Sequence, residues 1–251
     1  HRKYGNSVAP LLISKQGYNK STFCRSLVPP ELQWGYNDNL VLSEKRQVLQ
    51  AMCQSLVINL DEFNQISPQV QQGFLKNIIQ LPSVKIKPPY GSHVQEFPRM
   101  ASFIATSNME DILSDPSGNR RFLGVELTGP IDVSQRPNYE QLYAQALSAL
   151  RAGEKTYFDA EQTRLIMANN RKFEVVSPVD QYFNLYFDVT DDVKQGEYLT
   201  AAEIFQELKS HIGSSLKLSN LITFGRKLSQ MPSIHRKRFN DGMRYLVVRK
   251  S

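Results

Sequence analysis

The stretch Ser14-Lys15-Gln16-Gly17-Tyr18-Asn19-Lys20-Ser21-Thr22 decides how this chain is read. Before it lies a short apolar run, Val8 to Ser14. After it, Phe23, Cys24 and Leu27 recur at helical spacing until Pro29-Pro30. The run reads as a buried strand, and the segment from Ser21 as a helix stopped by the prolines. A loop between a strand and a helix that ends in Lys-Ser is where backbone N–H groups curl around phosphates. Lys20 would reach the outer phosphate oxygens and Ser21 would meet Mg²⁺. The GxxxxGK[ST] spacing wants glycine at 14 and 19, where this chain has Ser14 and Asn19, and only the central Gly17 is glycine. Asparagine tolerates positive φ better than other non-glycine residues, so Asn19 suits its position. Ser14 offers no such freedom. Taken alone, the segment equally reads as a strand, a loop and a helix with a chance Lys-Ser-Thr.

A second feature raises the weight of the first. Leu56 to Leu60 is another buried strand, and it ends in Asp61-Glu62, 41 residues after Lys20. An aspartate there assists Mg²⁺ in phosphate-loop ATPases, and a following carboxylate can activate water. The competing reading is a solvated strand end. Ala101 to Thr106 is a third buried strand, carrying Asn108 just beyond its tip, which can orient a water or simply make a turn. Asp115-Pro-Ser-Gly118 reads as a turn. It leads through Asn119, Arg120 and Arg121 into a fourth strand, Phe122 to Leu127. An arginine at a subunit boundary can stabilise transition-state charge on a neighbour's phosphate; the plainer reading is two surface arginines.

The remaining pattern fills in the organisation. Pro68 to Gln80 is an amphipathic helix with proline at its first position. Val84 to Phe97 alternates around Pro89-Tyr90-Gly91 and predicts a hairpin. Tyr139 to Ala152 predicts a helix. Alternating strands and helices argue for an α/β domain with a parallel sheet over residues 1–150. A helical connector is expected over 151–177. Residues 178–251 differ in character. Thr200 caps a helix through Ser210 with Glu203 closing a capping box. Ser219 can cap a second helix from Asn220 to Gln230. Two alternating runs then flank the turn Asn240-Asp241-Gly242. Helix, helix and two-stranded wing is the layout of a small α+β winged-helix domain.

Composition limits what such a chain can be. It has 251 residues, 41% hydrophobic and 22% charged, enough to bury a core and too apolar for wholesale disorder. No apolar run nears the roughly 18 residues of a membrane span. Cys24 and Cys53 form no CxxC, which excludes a disulfide framework and a cysteine zinc site and fits a reducing, cytoplasmic setting. The four histidines are scattered. Because a strand begins almost at residue 1, further sequence is expected upstream. Charge is uneven. Residues 209–251 hold ten Lys/Arg against Asp241 alone, a net +9, whereas residues 1–208 carry −3. Arg226 and Lys227 fall on the second helix of the tail, and Arg236, Lys237 and Arg238 on its wing. Apolar Ile234, Phe239, Tyr245 and Val247 interleave them, so the basic element is folded and suited to DNA phosphates. A winged helix used for protein contacts is the alternative.

Taken together, the motifs resemble the virulence-associated protein E family, whose ATPase core is similar to superfamily 3 helicases and plasmid or phage primase-helicases. The carriers are Gln16-Gly17 with Lys20-Ser21-Thr22, Leu60 to Phe63, Pro89-Tyr90-Gly91, Phe97-Pro98-Arg99, Thr106-Ser107-Asn108 and Asp115 to Phe122, spanning roughly residues 8–130. The resemblance implies an AAA+-like P-loop core that forms a hexamer-like ring with ATP between subunits. It assigns nucleotide contact to Gln16, Gly17, Asn19, Lys20, Ser21 and Thr22, and Mg²⁺ to Ser21 and Asp61. Glu62 becomes the catalytic carboxylate, Asn108 the sensor, and Arg121 the arginine finger with Arg120 its close alternative. It implies that the hairpin grips single-stranded DNA through Lys85, Lys87, Tyr90 and His93, and that a primase domain would be a natural upstream neighbour. The expectation is an ATP-hydrolysing DNA motor of bacterial or phage mobile-element replication. Its rivals are a non-hydrolysing DNA-binding module on a degenerate P-loop and a small-molecule kinase. The kinase explains neither the hairpin nor the basic tail.

Overall fold

In the computed structural model, the described residues are 6–88, 91–114, 119–175, 178–212, 221–229, 231 and 234–250. Pro89, Tyr90, Asp115 to Gly118, Ser219, Asn220 and Gln230, all singled out above, lie outside them. The chain divides into two units, His1–Val175 and Val176–Ser251.

The first unit is built on β1 (Ala9–Ile13), α1 (Lys20–Ser26), β2 (Tyr36–Asn37), α2 (Lys45–Gln54) and β3 (Val57–Leu60). A continuous helical run follows: α3 (Pro68–Val70), a π-turn (Gln71–Leu75) and α4 (Lys76–Ile78). Then come β4 (Ser83–Ile86), β5 (Gln95–Pro98), β6 (Ser102–Ser107), β7 (Phe122–Glu126), α5 (Tyr139–Arg151) and α6 (Ala160–Asn170). Five strands form one parallel sheet in the order β2-β3-β6-β1-β7. Strand geometry sends alternate side chains to opposite faces. Leu11, Ile13, Ile58, Leu60, Phe103 and Ala105 therefore join one core with Val48, Met52, Leu75 and Ile78, while Leu12 and Ile104 pack with Cys24 of α1. Both faces are covered, as a parallel sheet requires. β4 and β5 pair antiparallel as the expected hairpin, with Val84 opposite Phe97.

The stretch expected as a connector is packed onto the sheet. Asn170 is fully buried; its Nδ2 donates to Asn119 O (2.8 Å) and Phe122 O (2.6 Å), and its Oδ1 accepts from Gly124 N (3.1 Å). Gly124 has no room for a side chain, because a Cβ there would drive into the Phe173 ring. The two hydroxyls of Tyr139 and Tyr143 tie α5 to the end of α1, at Ser26 O and Leu27 O.

The second unit contains α7 (Pro178–Tyr186), β8 (Phe187–Val189), β9 (Glu197–Thr200), α8 (Ala201–Ile212), α9 (Leu221–Leu228), β10 (His235–Phe239) and β11 (Gly242–Arg249). β11 is the hub, antiparallel to β8, β9 and β10. Phe183, Phe187, Ile204, Leu208, Phe224, Leu228 and Val247 form its core. The capping box is present: Thr200 Oγ1 accepts from Glu203 N (3.2 Å), and Glu203 Oε2 accepts from Thr200 N (2.7 Å). Gly242 opens β11 at φ 135°, a conformation that side-chain-bearing residues rarely adopt. β8 and β9, of three and four residues, are additions to the expected layout. Among the described residues no helix is long and apolar enough to cross a membrane.

Candidate functional site

A parallel sheet delivers all its strand ends to one edge, and that edge is where the expected residues meet. β6 lies between β1 and β3, with Ile13 level with Ser107 and Leu60 level with Ala105. The loop after β1, Asp61 after β3 and Asn108 after β6 therefore converge. Lys20 is 6% exposed. Its Nζ donates to Ser14 O (3.0 Å), Ser14 Oγ (2.9 Å), Lys15 O (3.0 Å) and Asn108 Oδ1 (2.9 Å). All four acceptors are neutral, so the ammonium is positioned without being neutralised. Burial draws its pKa below the usual lysine value, and the Asp61 carboxylate opposes that pull.

Asp61 binds the other side of the loop. Its two oxygens accept from Ser21 Oγ at 3.0 and 3.1 Å, and Oδ1 also accepts from the buried Thr106 hydroxyl. Thr106, quoted above only as part of the Thr106-Ser107-Asn108 motif and given no role of its own, is thus a contact of Asp61. It lies two positions before Asn108, and a period of two puts both on one side of the strand.

Backbone conformation marks the same place. Among the described residues, Asn19 (φ 59°) and Glu62 (φ 50°) are the non-glycine residues with positive φ. Such conformations persist where surroundings enforce them, and they cluster at functional sites. Asn19 adopts the left-handed conformation inferred from its residue type, and its Nδ2 donates to Ile131 O (2.9 Å). Gly17 also has positive φ (86°), with open space around it. Ser14 is outside the positive-φ set. A side chain there is free of strain; its Oγ gives Lys20 one acceptor and the Ser14 backbone carbonyl gives another. Glu62 is exposed, and its carboxylate accepts from Gln65 Nε2. Gln16 and Thr22 are exposed on the loop and the first turn of α1.

The arginines are placed differently. Asn119–Arg121 forms a 3₁₀ turn leading into β7, where Arg121 is 6% exposed and Arg120 is exposed. Phe122 pairs with Ala9, the start of β1, while the loop leading to Lys20 follows the end of β1. At about 3.3 Å per residue the two features stand about 15 Å apart along the strand. Neither arginine shares an edge with Lys20 of its own chain.

The basic residues form two further groups. Lys85 and Lys87 are exposed on β4 and just past it, and His93 is exposed on the way into β5; Tyr90 is outside the described residues. In the second unit, every residue of β10 is exposed, including Arg236, Lys237 and Arg238. Arg226 is exposed and Lys227 half-buried on α9, above buried Phe224 and Leu228. Phe239 is held between Lys237 and Arg244, whose charged groups lie 5.7 and 5.3 Å from the ring centre.

Residues 6–175 match the model of the virulence-associated protein E-like domain, and residues 176–247 match that of a domain of unknown function from a B. Theta gene description (DUF3874). No curated protein matches in sequence. Among solved structures, the apo C-terminal region of NrS-1 (305–718) is similar at 14% identity and a TM-score of 0.45, covering 99% of this chain and 68% of that one. The A form of the same region gives 14% identity and a TM-score of 0.41, covering 98% and 67%. Likenesses at these scores carry no functional inference.

Proposed function

The chain belongs to the virulence-associated protein E-like domain family, and from that premise we propose that residues 6–175 are the P-loop ATPase core of a DNA-handling motor. The observation that carries this reading is the convergence of Lys20, Ser21, Asp61, Thr106 and Asn108 at one edge of a parallel sheet. A ligand at the carboxyl ends of parallel strands is the general rule for open α/β sheets.

The residues suit Mg²⁺ with a nucleotide. Among the described residues no cluster of three His, Cys, Asp or Glu could cage a metal. Mg²⁺ rarely needs one, because it takes one or two carboxylates and completes its shell with phosphates and water. A hydroxyl and a carboxylate already in contact, Ser21 and Asp61, are that kind of hard-oxygen donor set. Bound MgATP would supply the phosphoryl group and its electrophilic phosphorus.

This chain's residues do the rest. Lys20 would hold phosphate oxygens, and Ser21 and Asp61 would hold the metal. Thr106 donates to Asp61 and keeps its carboxylate aimed. Glu62 would accept a proton from the attacking water, and Asn108 would orient that water. Arg121, with the exposed Arg120 as its close alternative, would serve a neighbouring subunit's site in a ring. Residues 178–251 act as a basic winged helix on duplex DNA, and the β4–β5 hairpin contacts single strands. The motor would serve replication of bacterial or phage mobile elements.

Calorimetry with MgATP on the full chain tests the premise. Binding that disappears in Lys20→Ala supports it, and no binding to the unaltered chain removes the motor. ATP turnover with and without single-stranded DNA then separates the motor from a non-hydrolysing DNA module: stimulation by DNA supports the motor.

A further inference from the structure

We propose that a cavity between α2 and the β4–β5 hairpin is a nucleobase pocket for single-stranded DNA, sharing Lys87 with the hairpin's expected DNA contacts and distinct from the nucleotide site. This rests on the DNA-handling reading above. The cavity holds about 290 Å³, near the lower end of the range for small-ligand pockets. One wall is a single face of α2: Arg46, Gln50, Cys53 and Gln54 stand at helical spacing, while Val48 and Met52 on the other face are in the core. The hairpin supplies Lys87 and Phe97 opposite. Phe97 pairs across the ladder with Val84, yet Val84 is buried and Phe97 only half-buried. Phe97 packs against the core cluster and also lines the cavity.

Each wall matches one part of a nucleotide in a strand. The Phe97 ring offers the flat apolar surface on which a base stacks, whatever its identity. The carboxamides of Gln50 and Gln54 each carry donor and acceptor, the pairing that base edges display. Arg46 and Lys87 are exposed at the rim, where the flanking phosphates would run, and Arg46 Nη2 reaches Lys87 O at 3.3 Å. Among the described residues, no carboxylate lines the cavity. Two cations, no acid, two amides and an aromatic ring fit a polyanion that carries planar bases.

Cys53 makes the pocket measurable. It is half-buried in the cavity wall, whereas Cys24 is fully buried elsewhere. The experiment uses the full chain, a fluorescent oligo-dT strand and an abasic strand of equal length. Binding is read by anisotropy, and iodoacetamide modification of Cys53 by mass spectrometry. The base-bearing strand should bind about tenfold more tightly than the abasic one and slow alkylation of Cys53, which the abasic strand leaves unchanged. Phe97→Ala should erase the preference. Gln50→Ala, a milder change, should reduce it even if the Phe97 variant fails to fold. Arg46→Ala should weaken both strands alike. Equal affinity for the two strands, with Cys53 alkylated at the same rate, overturns the pocket and leaves the DNA-handling reading standing. If neither strand binds, both fall.

Discussion

The two units use charge in opposite ways. At the sheet edge of the first, one lysine is buried among four neutral oxygens, one aspartate is held by two hydroxyls, and two non-glycine residues adopt left-handed backbone. In the second, five consecutive residues of β10 stand exposed, and the cations around them are arranged over a compact apolar core. A reacting phosphate needs groups fixed before it arrives, because only preorganised charge lowers a barrier. A DNA backbone needs only positive potential, which water and salt modulate. The contrast makes the units separable by mutation.

The largest effect should come from the first unit. Lys20→Ala should cut MgATP affinity at least ~100-fold, about 2.7 kcal/mol, while DNA binding by residues 178–251 stays within twofold; calorimetry and anisotropy on one preparation give both numbers. Loss of both affinities together would merge the units and break the contrast. Glu62→Gln should leave nucleotide affinity near normal and reduce hydrolysis by about 100-fold or more, read as phosphate release. In the second unit, Arg236→Ala and Arg238→Ala should each lower duplex affinity several-fold and reduce the slope of log K against log salt by about one, with ATP binding unchanged. A slope that does not move would assign those side chains to something other than phosphate. Thr200→Ala should cost about 1 kcal/mol of stability in the second unit alone, measured by denaturant melts. The smallest effect is expected at Asn19: glycine there should be nearly neutral, because relief of the left-handed backbone offsets the lost bond to Ile131, whereas alanine should cost about 1 kcal/mol.

What the sequence made legible follows from which signals are local. The apolar strands, the loop with its left-handed Asn19, the hairpin and the Thr200-Glu203 box all depend on residues within a few positions of one another. Contacts set by the order of strands were out of reach. Nothing local says that β6 sits between β1 and β3, so the Lys20–Asn108 and Asp61–Thr106 bonds could not be read directly. Ser14 looked like a defect because its value lies in what its oxygens hold. Burial of Arg121 and exposure of Arg120 depend on a turn packed under α6, which adjacent identical residue types cannot reveal. α2 was passed over because its apolar positions, Val48, Leu49 and Met52, sit among polar neighbours. β8 and β9 are too short for alternation to register.

Asn170 bears on how this molecule should be cut for experiments. It is the buried clasp that fastens the outermost parallel strand, and it lies twenty residues beyond the point where composition alone would end the first domain. A fragment stopping at residue 150 would lose that fastening together with Phe173, uncovering the strand that follows the arginines. Expression boundaries for an isolated first unit therefore belong after residue 175.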